Sequence, residues 1–157
     1  MITTNATMPA GQLQELKDGE MITHETTELF ANKKVVMFAV PGAFTPTCSV
    51  AHLPGYVVSA DELKAKGIDA IICLSVNDAF VMAAWGEAQN AENIMMLADG
   101  DGSYAKALGL DMDTEGFGGV RSQRYSMIID NGVVSNLNVE KASEFEVSNA
   151  ETILGQL

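Results

Sequence analysis

Val35-Val36-Met37-Phe38-Ala39-Val40-Pro41-Gly42-Ala43-Phe44-Thr45-Pro46-Thr47-Cys48 is the stretch that decides how this chain folds. The unbroken apolar run from Val35 to Val40 suits a strand buried on both faces. Pro41-Gly42 ends it, because proline has no N–H to give to a sheet ladder. From Thr47 the composition turns helical, with a disturbance expected at Pro54-Gly55. A buried strand, a sharp turn and a helix therefore place Cys48 in a first helical turn. There, unpaired N–H groups and the positive end of the dipole favour an anion. A cysteine so placed is expected to lose its proton more readily than a free one, whose pKa is about 8.5, and the thiolate is the nucleophile.

Outward from this stretch, the elements alternate in type. Gln12 to Leu16 and Glu20 to His24 read as two strands around the turn Asp18-Gly19. Thr26 to Phe30 resembles a helical turn. Asp61 to Lys66 continues the helix begun at Thr47, and Gly67 suits its C-cap. Ile68 to Val76 is the next buried strand. Asp78 to Ala88 is predicted helical, capped by Asn77 or Asp78. Ile94 to Leu97 reads as a strand, and Ser103 to Leu108 as a helix ending near Gly109. Tyr125 to Ile129, Asn131-Gly132 and Val133 to Val139 form a strong hairpin signal. Ser148 to Leu157 closes the chain as a helix capped by Ser148 or Asn149. This order predicts one α/β domain over residues 1–157. Its architecture is expected to be thioredoxin-like, a mixed central sheet flanked by helices with an N-terminal β-hairpin. Fold class alone assigns no function.

Composition narrows the classes. The 157 residues are 47% hydrophobic and 19% charged, ordinary for a globular protein. The net charge of -12 repels phosphate backbones and anionic headgroups, so no nucleic acid and no membrane is expected as partner. No apolar run approaches the ~20 residues of a membrane span. The N-terminus lacks the basic flank and apolar run of a signal peptide. Two cysteines, Cys48 and Cys73, are too few for a disulfide scaffold. A reducing, cytoplasmic setting is the expectation. The nine methionines are read as core filling, and Trp85 as packed.

A lone cysteine is more often a small buried hydrophobe than a nucleophile. Its strand-to-helix position moves Cys48 toward the second reading. Thr45 does the same, since its hydroxyl can turn toward the same pocket, although Thr45 and Pro46 also suit a plain turn. Pro41, Thr45 and Cys48 match the pattern P-x-x-x-T-x-x-C of the peroxiredoxins. The longer run Pro41 to Ser49 resembles the peroxiredoxin-5 class. The similarity extends through His52-Leu53-Pro54-Gly55, Ser75 to Val81 and Arg124-Tyr125-Ser126-Met127, and spans roughly Leu29 to Leu157.

The resemblance implies a peroxidase in which Cys48 attacks the peroxide and becomes a sulfenic acid. It implies that Thr45 hydrogen-bonds the thiolate and the peroxide, that Pro41 shields the sulfur, and that Arg124 completes the pocket. Arg121 is the nearby alternative to Arg124. Phe44, Thr47, His52 and Phe117 are expected to line the substrate pocket. No cofactor and no metal is expected, because His24 and His52 lack ligand spacing with other donors. Without the resemblance, His52 reads as a helix-surface histidine one turn after Cys48.

Cys73 lies within Ala70-Ile71-Ile72-Cys73-Leu74 and reads as a buried, inert thiol. The alternative is a resolving cysteine, which needs Cα atoms within about 7 Å of Cys48's. Some members of the class carry a resolving cysteine near the C-terminus, where this chain has Val147. A one-cysteine cycle is therefore expected. Thr45-Pro46-Thr47-Cys48 and Gly116-Phe117-Gly118 are shared with the peroxidase part of bacterial peroxiredoxin–glutaredoxin fusions. That implies reduction by glutathione with a separate glutaredoxin, or by thioredoxin as the runner-up. The resemblance also implies a homodimer, with Phe44 and Phe80 as contacts. The competing reading is a non-catalytic redox sensor or chaperone-like binding protein on the same fold.

Overall fold

The computed structural model describes residues 1–157. Asp18 and Gly19 take φ of 52° and 79°, as a two-residue I′ hairpin turn requires. They join Gln12–Lys17 (β1) to Glu20–Glu25 (β2), which pair antiparallel. Thr26–Leu29 (α1) is a single turn, and Lys34–Val40 (β3) follows it. Beyond the cysteine, Leu53–Ala65 (α2), Ala70–Ser75 (β4), Ala79–Ala88 (α3), Met95–Ala98 (β5) and Ser103–Leu108 (α4) alternate strictly. Asp78 caps α3 by accepting from the Val81 N–H at 2.9 Å. Asp111–Asp113 (β6) and Val120–Ser122 (β7) form a two-stranded ribbon. Tyr125–Asp130 (β8) and Val133–Val139 (β9) make the predicted hairpin, and Ala150–Gln156 (α5) ends the chain. Asn149 caps α5, accepting from Thr152 N at 2.8 Å.

Seven strands form one sheet in the order β2-β1-β5-β4-β3-β8-β9. The middle strands β5, β4 and β3 run parallel, and β8 lies antiparallel to β3. Side chains alternate across a strand, and β3 uses both faces. Val36, Phe38 and Val40 pack with α2, α3 and α5, around Tyr56, Trp85 and Ile153. Val35, Met37 and Ala39 pack on the other face with Leu29, Tyr104 and Leu108. Fully burying one such aliphatic side chain contributes about 1.5–3 kcal/mol. A central strand apolar on both sides is thus the anchor of both core layers. Trp85 is fully buried, and its indole N–H donates to Ser49 Oγ at 3.1 Å.

The structure adds detail at two places. The disturbance anticipated at Pro54-Gly55 lies upstream, where Cys48–His52 forms a π-helical turn. Pro54 lies inside a helical run that is unbroken from residue 46 to residue 65, so its missing N–H and its ring bear on the turn just before it, where the π-helical turn sits. The strands β6 and β7 were not anticipated. They are three residues each and carry no alternating pattern.

Candidate active site

The loop from Pro41 to Thr47 is held from two sides. The Ala43 N–H donates to Asn77 Oδ1 at 3.0 Å, and Ser75 Oγ donates to the same oxygen at 2.6 Å. Ser75 is the last residue of β4 and Asn77 lies two residues beyond it, so the end of the neighbouring parallel strand shapes the turn leaving β3. Within the loop Phe44 has φ of 64°, a left-handed conformation rare for a bulky residue and typical of functional turns. Its ring stays 55% exposed.

Cys48 opens the π-helical turn and is fully buried. Thr45 Oγ1 lies 2.9 Å from its Sγ and 2.7 Å from Gly42 O. A hydroxyl has one proton, so Thr45 serves one of these acceptors at a time. Arg124 Nη2 donates to Sγ at 3.1 Å. A fixed guanidinium and a hydroxyl converge on the sulfur, a donor set suited to negative charge. Arg124 reaches it because antiparallel pairing of β3 with β8 matches Ala39 with Tyr125. The end of one strand and the start of the other therefore meet at the same edge.

Arg121 is engaged elsewhere. Its Nε donates to Gly118 O at 3.0 Å and its Nη1 to Val76 O at 2.8 Å, tying the glycine-rich turn to the end of β4. Of the two arginines, Arg124 is the one beside Cys48.

His52 is fully buried, unlike a helix-surface histidine. The wider π turn carries it to the inner face, between Phe38 at 4.9 Å and Phe145 at 4.8 Å between ring centroids. Its Nδ1 faces Arg124 Nη1 at 2.8 Å, and its Nε2 faces Ser148 O at 3.0 Å. Arginine cannot accept, so Nδ1 accepts and Nε2 carries the proton. Burial and then the Arg124 charge push its pKa down to about 3, against the opposing effects of the Ser148 carbonyl and Glu140. His52 is thus neutral at physiological pH and holds one branch of the Arg124 fork.

A cavity of about 410 Å³ adjoins this cluster, lined among others by Pro41, Thr47, Met112, Arg124, Lys141 and Phe145. Cys48 itself does not line it. A larger groove of about 520 Å³ beside Gly86 and Met96 carries no cysteine, histidine or hydroxyl. Phe117 is 74% exposed and, like Cys48, Phe44 and His52, lies outside the lining of this cavity. The Thr114 hydroxyl closes the turn that carries Phe117 by donating to Gly119 O at 2.7 Å. Asn77, Glu140 and Ser148 belong to the site's surroundings although sequence reading gave them no such part.

The family model described as Redoxin matches residues 3–154. The crystal structure of reduced Prx3 in complex with H2O2 from Vibrio vulnificus superposes with a TM-score of 0.98 at 68% identity, covering 99% of each chain. This chain belongs to the Redoxin family, as a peroxiredoxin of the peroxiredoxin-5 class. Peroxiredoxin-2D of Arabidopsis thaliana is 46% identical over 159 residues, covering 99% of this chain and 98% of that protein. Hybrid peroxiredoxin hyPrx5 of Haemophilus influenzae is 47% identical over 136 residues, covering 84% of this chain and 56% of the relative. The thioredoxin-like fold is that of its structural neighbours. As a peroxiredoxin the protein is a thiol-dependent peroxidase and an antioxidant enzyme, which sets aside the non-catalytic sensor reading. No helix is long and apolar enough to cross a membrane.

Proposed function

We propose that this peroxiredoxin reduces hydrogen peroxide and organic hydroperoxides by a one-cysteine cycle, recycled by glutathione with a glutaredoxin. Cys48 as thiolate attacks one peroxide oxygen. The S–O bond forms, the O–O bond breaks, and the departing oxygen takes a proton to leave as water or an alcohol. Cys48 is left as a sulfenic acid. Arg124 and the Thr45 hydroxyl stabilise the charge that grows on the departing oxygen. Pro41 and Thr47 wall the approach, and neutral His52 keeps Arg124 aimed. Phe44 lies next to the approach but outside the 410 Å³ cavity.

The observation that carries the one-cysteine cycle is the position of Cys73. It is fully buried in β4, in ladder with Phe38 on one side and Met96 on the other. Burial above all, then the neighbouring Cys48 charge, push its thiol well above the ordinary range, with Arg124 opposing. Such a thiol is protonated and a poor attacker of the sulfenic acid. An external thiol must condense with Cys48–SOH, releasing water, and a second thiol must then free Cys48 as a disulfide leaves. The resemblance of Thr45-Pro46-Thr47-Cys48 and Gly116-Phe117-Gly118 to peroxiredoxin–glutaredoxin fusions, together with the similarity to a protein named a hybrid peroxiredoxin, of which this chain covers 56%, supports a glutaredoxin as that partner.

The test is peroxide turnover in Cys73→Ser, with glutathione plus glutaredoxin against thioredoxin. Turnover is expected to survive the substitution and to run faster with the first system. A loss in folded Cys73→Ser would return the two-cysteine cycle, and equal or faster turnover with thioredoxin would move the reductant to it. A homodimer is proposed through Phe44 and Phe80, which stand 55% and 64% exposed. Sedimentation of the wild type as a dimer, shifted toward monomer by Phe80→Asp, is the expected result; an unshifted dimer would place the interface elsewhere.

A further inference from the structure

Glu140 follows the last residue of β9, and its own N–H donates to Arg124 O at 3.0 Å. Its side chain is nearly buried at 7% exposure in a chain of net charge -12, and no ion pair compensates it. Instead it turns toward the segment that leads into α5. Oε2 accepts from the N–H groups of Glu146, Val147 and Ser148, each at 2.8 Å, and from Ser148 Oγ at 2.7 Å. Oε1 also accepts from Glu146 N at 2.9 Å. Burial alone would raise its pKa, but these hydrogen bonds, led by the Ser148 hydroxyl, outweigh it and hold the carboxyl below its usual range.

What this clamp fixes is the carbonyl of Ser148. That oxygen is shared by His52 Nε2 at 3.0 Å and the Tyr56 hydroxyl at 2.8 Å. It is therefore the acceptor that decides which nitrogen of His52 bears the proton. The other nitrogen, left as an acceptor, takes Arg124 Nη1, and the second branch of the guanidinium takes Cys48 Sγ. The contacts run unbroken from carboxylate to sulfur. Residues 141–144, 146 and 147 between the two ends are exposed. Little except the Glu140 clamp and the Phe145 ring, 4.8 Å from His52, holds this segment down.

We propose that Glu140 is a positioning residue of the peroxidase site, acting through Ser148 and His52 to keep Arg124 aimed at Cys48. The proposal rests on the peroxidase role given to Arg124. Removing the carboxylate strands three N–H groups and a hydroxyl without an acceptor, so the segment lifts and the Ser148 carbonyl leaves His52. The ring is then free to turn, and Arg124 loses one of its two side-chain hydrogen bonds.

The test compares Glu140→Ala and Glu140→Gln with wild type in two reactions of Cys48. One is oxidation by hydrogen peroxide, which needs Arg124 in place. The other is alkylation by iodoacetamide, which has no departing peroxide oxygen to stabilise. In Glu140→Ala the peroxide rate constant is expected to fall about tenfold while alkylation falls less than about twofold, as misaiming of a single group predicts. Glu140→Gln keeps an oxygen for the Val147 and Ser148 donors and is expected to recover most of the peroxide rate. The ¹⁵N signals of the His52 ring should report one fixed tautomer in wild type and averaging in Glu140→Ala. Asp99→Asn, which loosens a buried carboxylate capping α4 at Tyr104 and Ala105, supplies a control for stability alone. Should Glu140→Ala not fold, Glu140→Asp carries the same expectation. The proposal is overturned by an unchanged peroxide rate in a folded variant, by equal losses in both reactions, or by a matching loss in Asp99→Asn. A folded Arg124→Ala with an unchanged peroxide rate would instead remove the reading beneath it.

Discussion

Cys48→Ser is expected to abolish peroxide turnover while leaving the fold intact. A serine hydroxyl is not ionised near neutrality, so the attacking anion is gone. The protein has no second nucleophile to replace it, because Cys73 is sealed in the central sheet. The fold should survive, since Sγ and Oγ differ little in size and the new oxygen still meets Thr45 Oγ1 and Arg124 Nη2. A buried hydroxyl with partners in place avoids the roughly 1–3 kcal/mol penalty of an unsatisfied group. The measurements are peroxide consumption with a thiol reductant, the mass gain of one oxygen on the chain, and the melting temperature. Retained turnover, or one added oxygen located on Cys73, would overturn the assignment of the nucleophile.

Arg124→Ala is expected to lower the rate constant with hydrogen peroxide by about 10²–10³, the usual cost of removing one donor from a site of developing negative charge. Arg124→Lys should recover only part of this. An ammonium can reach the sulfur or His52, but it lacks the rigid fork that serves both. The substitution carries its own internal reporter. Burial is the main reason that His52 titrates at about 3, and the Arg124 charge is the next. Its loss should move the His52 titration upward, toward the ordinary 6.5. The sign for stability follows. With a depressed folded pKa, the unfolded chain binds the proton first, so stability is full above 6.5 and falls as pH drops toward 3. In Arg124→Ala that window narrows. An unaltered His52 titration, read by NMR, would mean that the guanidinium does not face the ring in solution.

The residues from Val35 to Cys48 were legible because their signals are local. An apolar run, a Pro-Gly stop and a helical start each sit within a few positions. The hairpin at Asn131-Gly132 was legible for the same reason, and both of its turn residues take positive φ. The π-helical turn was legible only in part, since Pro54 announced a disturbance of the helix but not that Cys48–His52 would take up an extra residue. Its consequence was large, as His52 points to the core and not to solvent. Glu140 and Ser148 were hidden for a different reason. An acidic residue in a chain of charge -12 looks like one more solvated side chain, and a backbone carbonyl leaves no trace in sequence. Only the fold brings Ser148 to His52, across 96 positions.

That separation has a meaning for the chain as it is made. Cys48 leaves the ribosome well before the groups that surround its sulfur. The guanidinium that flanks its sulfur is 76 positions further on, and the carbonyl that orients His52 comes later still. Contacts this distant in sequence need a long intervening loop to close before they form. A nascent or half-folded chain therefore carries Cys48 without Arg124, without a fixed imidazole and without the antiparallel strand β8. The set of groups around Cys48 and His52 is complete only once Ser148, just before α5, has been made. Fast peroxide reduction is in this way tied to completion of the fold, and a chain truncated before Arg124 is expected to react with peroxide no faster than Arg124→Ala, even where its Cys48 is present and reduced.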